Sequence, residues 1–254
     1  MLRTAEAELI LPEGTVLNQS MGSVMHGALM EQVDRDWAEQ MHGAGIRPYS
    51  QCLAMKNQIP VWRISSLNEE AWERLLGPAL SVKSLRLTQR GFSVALRDFH
   101  VVREESFEEL EKRYWTSQKK YHHIDIQFLT STSFRSGGQY MIFPDSHLML
   151  HHWIEKWNAF SDTSVLKEDR LAENLAGTVQ ITGYRLHMHP YSVEGRRIRA
   201  FRGQVKLGLF ANETAARMIC MLADFASFSG TGIKTALGMG GTESHIVLWK
   251  EAEL

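Results

Sequence analysis

The order in which two periodicities alternate along the chain is what most constrains its fold. Residues 5–11 (Ala-Glu-Ala-Glu-Leu-Ile-Leu) read as a strand, and Pro12-Glu13-Gly14 stops it. From Gly22 to Met41, the residues Met25, Leu29, Val33, Trp37 and Met41 step by four, which predicts one amphipathic helix. Gly43, Gly45 and Pro48 end it. Strand-like runs at 50–56 and 61–65 follow, joined across Asn57-Gln58. A short helix over 68–76 has Asn68 as its cap and glutamates in its first turn, and strands over 82–88 and 92–103 come after it. Strand, helix, two strands, helix, strands is the β-α-β-β-α-β order.

The order then recurs. Residues 106–121 are charged and lack strand character, so they read as a connection. Strand runs at 123–130 and 139–143 lead to a helix over 146–160, long strand-like runs at 178–190 and 197–210, a helix over 213–227 and a last strand from Ser244 to Trp249. No residue-level repeat accompanies the recurrence. The expectation is an α+β chain of two tandem ferredoxin-like (RRM-like) domains, 1–118 and 119–254. A length of 254 residues suits two small domains. The net charge of −1 does not announce a nucleic-acid partner, so any basic surface must be local. Cys52 and Cys220 lie far apart and form neither a disulfide framework nor a zinc ribbon. No signal peptide is visible, and no apolar run approaches the ~18 residues of a membrane span, which together point to the reducing cytoplasm.

Between the helix at 213–227, with Asn212 at its cap, and the last strand lies a glycine-rich stretch: Gly230, Gly232, Gly238, Gly240 and Gly241, with Lys234 among them. The familiar mononucleotide loops run from a strand into a helix and carry Gly-Lys-Ser/Thr or a third glycine at fixed spacing. Here the order is reversed and both signatures fail. Two readings remain open from spacing alone. The bare backbone and the lysine could lie along a polynucleotide, or the glycines could make a tight connection at positive φ.

Histidines carry the next candidates. His42 falls in the last turn of the predicted first helix, where the helix dipole favours an imidazolium, a position suited to proton transfer. His26 is sixteen residues earlier, ~24 Å away on a straight helix, so the two are alternatives or His26 is structural, the reading that His26-Gly27 as a packing position near the helix start favours. His187-Met-His189 and the pairs His122-His123 and His151-His152 raise a metal hypothesis, but no third ligand accompanies them. Basic charge concentrates from Arg185 to Lys206, through Arg196, Arg197, Arg199 and Arg202. Glu194 is the one acid, and Tyr191 and Phe201 are interleaved, a composition suited to RNA phosphates and bases. Trp153, Trp157 and Phe160 read as core.

Two stretches also resemble a known family. The pattern G-x-G-x5-G-x-G-G, preceded by Phe225-Ala-Ser-Phe228-Ser229, is similar to the C-terminal glycine-rich signature of the CRISPR repeat-processing endoribonucleases of the RAMP superfamily. Met41-His42, then Arg47 and Pro48-Tyr49-Ser50, resembles their N-terminal histidine motif. The resemblance implies two ferredoxin-like domains and a catalytic role for His42. A lysine used by some members falls at or beside Arg47, and a first-helix tyrosine aligns with Met30, so the family's triad is not reproduced; Tyr49 is a candidate substitute. The implied activity is metal-independent cleavage of CRISPR precursor RNA within its repeats, by attack of a 2′-hydroxyl on the adjacent phosphate. Gly230, Gly232, Lys234, Gly238, Gly240, Arg185, Arg196, Arg197, Arg199 and Arg202 would hold that RNA. No cofactor, metal or membrane is implied, and the implied partners are repeat RNA, other effector subunits and a second copy of the chain. The alternative is a non-catalytic RAMP subunit that binds guide RNA in an effector complex.

Overall fold

The computed structural model describes residues 1–193 and 195–249. The first half opens with β1 (Leu2–Ile10), helices α1 (Met21–Met30) and α2 (Arg35–Gly43), and the hairpin β2 (Tyr49–Lys56) and β3 (Ile59–Ser66). Asn57 and Gln58 both take positive φ (49° and 68°), the backbone of a two-residue hairpin turn. A continuous helical run over 69–79 comes next: α3 (Glu69–Ala71), a π-helical stretch Trp72–Leu76, and α4 (Gly77–Ala79). Asn68 caps it, its side chain accepting the Ala71 amide at 2.9 Å. β4 (Ser84–Leu87) and β5 (Phe92–Glu105) complete an antiparallel sheet ordered β2-β3-β1-β5-β4. The first four positions are the ferredoxin-like order, with β4 added as an edge.

The second half repeats that order more cleanly. β6 (Tyr121–Thr132), the small hairpin β7 (Phe134–Ser136) and β8 (Gln139–Met141), and helices α6 (Ser146–Phe160) and α7 (Leu171–Ala176) come first. β9 (Val179–Met188), the hairpin β10 (Tyr191–Val193) and β11 (Arg196–Ile198), β12 (Phe201–Leu209), α8 (Glu213–Ser229) and β13 (Thr242–Leu248) follow. The main sheet runs β13-β6-β12-β9, all antiparallel. Along β6, Ile124, Ile126 and Phe128 alternate into a core formed with α6 and α8, where Trp153, Trp157 and Phe225 are fully buried. Among the described residues no helix is long and apolar enough to cross a membrane.

Two expectations are corrected. The stretch 106–121 is not a bare connection: α5 (Phe107–Trp115) fills its first half. Ser106 and Glu109 form a reciprocal capping box, and Phe107, Leu110 and Tyr114 enter the second core. The predicted helix from Gly22 to Met41 is two helices. α1 stops at Met30, and Asp34 starts α2 by accepting the Trp37 amide at 3.1 Å. Met25, Leu29, Trp37 and Met41 are still buried in one core, so the apolar stepping continues across a break in the backbone.

Candidate active site and glycine-rich loop

The break between α1 and α2 creates a cavity of about 430 Å³. Its walls come from α1 (His26, Met30), α2 (Glu39, His42) and the entry to β2 (Arg47, Tyr49). The straight-helix separation of His26 and His42 is therefore corrected: the two imidazoles line one cavity. His26 Nε2 shares a 2.9 Å hydrogen bond with the Tyr49 hydroxyl, and the two rings stack with centroids 5.9 Å apart. The Tyr49 ring is buried, and that burial pushes its hydroxyl up to about 12, so it stays a neutral phenol at physiological pH. What Tyr49 visibly does is hold His26. The sequence reading set His26 aside as structural because nothing in the apolar stepping marks the break.

His42 lies in the last turn of α2 and is exposed. Arg47 folds back on that helix end, its Nε donating to the Met41 carbonyl at 2.7 Å and an Nη to the His42 carbonyl at 3.5 Å. The guanidinium thus satisfies carbonyls that a helix C-terminus leaves open and places a permanent positive charge beside His42. Arg47 also lines a second cavity, of about 350 Å³, together with Arg135, His152, Lys156 and Lys234.

The glycine-rich stretch is mostly interior. Gly230, Gly232, Gly238 and Gly240 are buried, all at positive φ. A Cβ on Gly240 would meet the Thr231 carbonyl oxygen at 2.1 Å, one on Gly232 the Ser133 carbonyl oxygen at 2.4 Å, and one on Gly238 the Tyr191 hydroxyl at 2.4 Å. Backbone amides of the stretch are spent inside the protein: Thr231 donates to Gly240, Ile233 to Ser133, and Gly240 to Ser131. Across the gap, Gln51 of β2 donates to the carbonyls of Gly22 and Ala236, tying the first sheet and α1 to the loop. Burial, positive φ and the internal hydrogen bonds fit the tight-connection reading of these glycines. Lys234, half-buried with φ 54°, is the part of the loop that faces a cavity with Arg47.

With that geometry in place, comparison with known proteins gives one answer. The family model for the CRISPR-associated endoribonuclease Cas6 matches residues 126–242. CRISPR-associated endoribonuclease Cas6 of Mycobacterium tuberculosis (strain CDC 1551 / Oshkosh) is 28% identical over 222 residues, covering 87% of this chain and 70% of that protein. Its counterpart from Streptococcus thermophilus is 28% identical over 224 residues, covering 88% and 90%. The chain is similar to the Cas6 endoribonucleases over most of its length. Solved structures share its fold: Thermus thermophilus Cas6 superposes with a TM-score of 0.74 at 22% identity, covering 96% of this chain and 98% of that one. A Cas6 product complex gives 0.76 at 22% identity, covering 96% and 100%.

The basic segment of the chain is divided between two cavities and an exposed hairpin. Arg197 and Arg202 join His189 around a cavity of about 620 Å³ beside Gln19 and Leu53. Arg185 and Lys206 instead line a cleft of about 730 Å³ between the sheets, with Arg63, Arg103 and the acids Asp125 and Glu243. Arg196 and Arg199 are exposed on and beside β11, and Glu194 lies outside the described residues. His189 is engaged with Ser131, Nδ1 to Oγ 2.7 Å. Among the described residues no three histidine, cysteine or acidic side chains are placed to hold a metal ion.

Proposed function

We propose that this endoribonuclease processes CRISPR precursor RNA by metal-independent attack of a ribose 2′-hydroxyl on the adjacent phosphate within each repeat. The P–O2′ bond forms as the P–O5′ bond breaks, leaving a 2′,3′-cyclic phosphate and a 5′-hydroxyl. One proton must leave the 2′-oxygen and one must reach the departing 5′-oxygen. The observation that carries this reading is the convergence of His26 and His42, from two separate helices, on one cavity beside Arg47. One imidazole takes the first proton and the other supplies the second, work worth roughly 100- to 10,000-fold in rate. Arg47, and Lys234 across the loop, place cations where charge builds on the phosphoryl oxygens. The neutral Tyr49 phenol fixes the orientation of His26.

Repeat RNA is the partner, held by Lys234, by Arg185 in the cleft between the sheets, by Arg197 and Arg202 around the cavity of His189, and by the exposed Arg196 and Arg199. The finer parts of the reading are the division at 118/119, further effector subunits, a homodimer and a cytoplasmic place of work. End-labelled repeat RNA incubated with the protein in excess EDTA tests the chemistry, beside a copy with one deoxyribose at the cut. The reading expects cleavage of the first and none of the second. Tight binding without cleavage would instead identify a non-catalytic RAMP subunit.

A further inference from the structure

One buried cation plays no part in the chemistry above. Lys156 of α6 is 7% exposed, yet its side chain ends on the glycine-rich loop. Its Nζ donates to the Ser229 carbonyl at 2.5 Å and to the Thr235 hydroxyl at 2.7 Å. Those acceptors are the two ends of the arc that carries Gly230 to Lys234. One helical turn earlier on the same face, Trp153 Nε1 donates to the Thr231 hydroxyl at 2.9 Å, so α6 grips the arc at three points. The arc is one wall of the cavity whose opposite wall is Gly45, Ile46 and Arg47. Arg47 in turn reaches the cavity of His26 and His42. A side chain that closes the arc therefore sets the distance between Lys234 and Arg47, the two cations assigned to the phosphate.

We infer that Lys156 is a positioning residue for RNA cleavage, an internal clamp that holds the glycine-rich arc in register with Arg47. The inference rests on the nuclease reading above. The clamp is strongest when the amine is charged, and its surroundings oppose that charge. The groups sharing its cavity are His152 and Glu155 on α6, Arg47 before β2, Arg135 on β7 and Lys234 on the arc, four basic groups and one acid. Burial pushes the ammonium down to about 7, and the same surroundings push His152 down to about 4. The clamp thus loosens as pH rises through neutrality.

The test compares wild type, Lys156→Met, Thr235→Val and the double variant in single-turnover cleavage of repeat RNA from pH 6 to pH 9, with affinity read on the deoxy-substituted RNA. Lys156→Met should cleave about tenfold more slowly at pH 6 with affinity within about twofold, and the defect should shrink by pH 9 as the wild-type amine loses its proton. Thr235→Val, which keeps the shape and removes one acceptor, should reproduce part of the defect, and the double variant should match Lys156→Met. An unchanged rate in Lys156→Met and Thr235→Val overturns the inference, as does a defect of equal size at every pH, which marks a packing role. If Lys156→Met does not fold, Thr235→Val decides by the same two readouts. A wild type that binds but never cleaves takes down the nuclease reading and this inference together, whereas a cleaving wild type with indifferent variants removes the inference alone.

Discussion

Lys156 and Tyr49 show how burial sets the charge of single residues around this site. Each is a polar group taken out of water, and each keeps the neutral form more readily than it would in solution. For Lys156 the consequence reaches stability. Its folded value is about 7 against 10.5 for the free side chain, so between those values the unfolded chain binds more protons than the folded one. Stability contributed by this group therefore rises with pH from about 7 upward and is flat below it. Urea unfolding at pH 7 and pH 8.5 should show a higher midpoint at the higher pH, and Lys156→Met should remove most of that difference. An equal rise in the variant would assign the effect to other groups.

At the scale of elements, the break between α1 and α2 is what makes the cavity lined by His26 and His42. Asp34 defines it by capping α2, and the Trp37 indole, donating to Glu70 at 3.1 Å, anchors the new helix to α3. Asp34→Ala should cost about 1 kcal/mol of stability and loosen the first turn of α2. Cleavage should fall by more than thermal unfolding at the assay temperature explains, because His42 rides on that helix. Circular dichroism melts beside cleavage rates check both halves. The sequence did show the neighbouring elements: Asn68 as a cap, Asn57-Gln58 as a turn, and the helices at 146–160 and 213–227 within a residue or two. The break escaped notice because the apolar residues keep stepping by four across it, and the capping aspartate is one acid among several on that face. α5 was hidden differently. Its capping box, Ser106 with Glu109, stands in the sequence, but five charged residues in the helix masked the spacing of Phe107, Leu110 and Tyr114.

Across the whole molecule, two charged networks and the glycine-rich loop hold the sheets together. Asp224 on α8 accepts from Arg103 on β5, from Arg113 on α5 and from the Tyr114 hydroxyl, all at 2.7–2.9 Å, and Glu105 binds both arginines. On the other side Arg63 of β3 joins Glu6 of β1 to Glu243 of β13. Asp224→Asn leaves its partners with a weaker acceptor and one misplaced donor. It should cost about 2 kcal/mol after allowing for the partly exposed arginines, read as a lower denaturant midpoint with little change in slope. The glycines were legible as a pattern but not as a function: the same spacing serves an exposed phosphate cradle and a buried joint. Only the carbonyl oxygens facing Gly232 and Gly240 distinguish the two.

The central claim is that a broken helix brings His26 and His42 to one phosphate. The most direct measurement is a double-variant cycle of single-turnover cleavage in EDTA, using wild type, His26→Ala, His42→Ala and the pair. The account predicts that each single variant slows cleavage by roughly 100-fold or more while still binding RNA, and that the pair is little slower than the worse single, as expected of residues acting in one step. Wild-type cleavage by His26→Ala would contradict it and leave His42 to act without a partner imidazole.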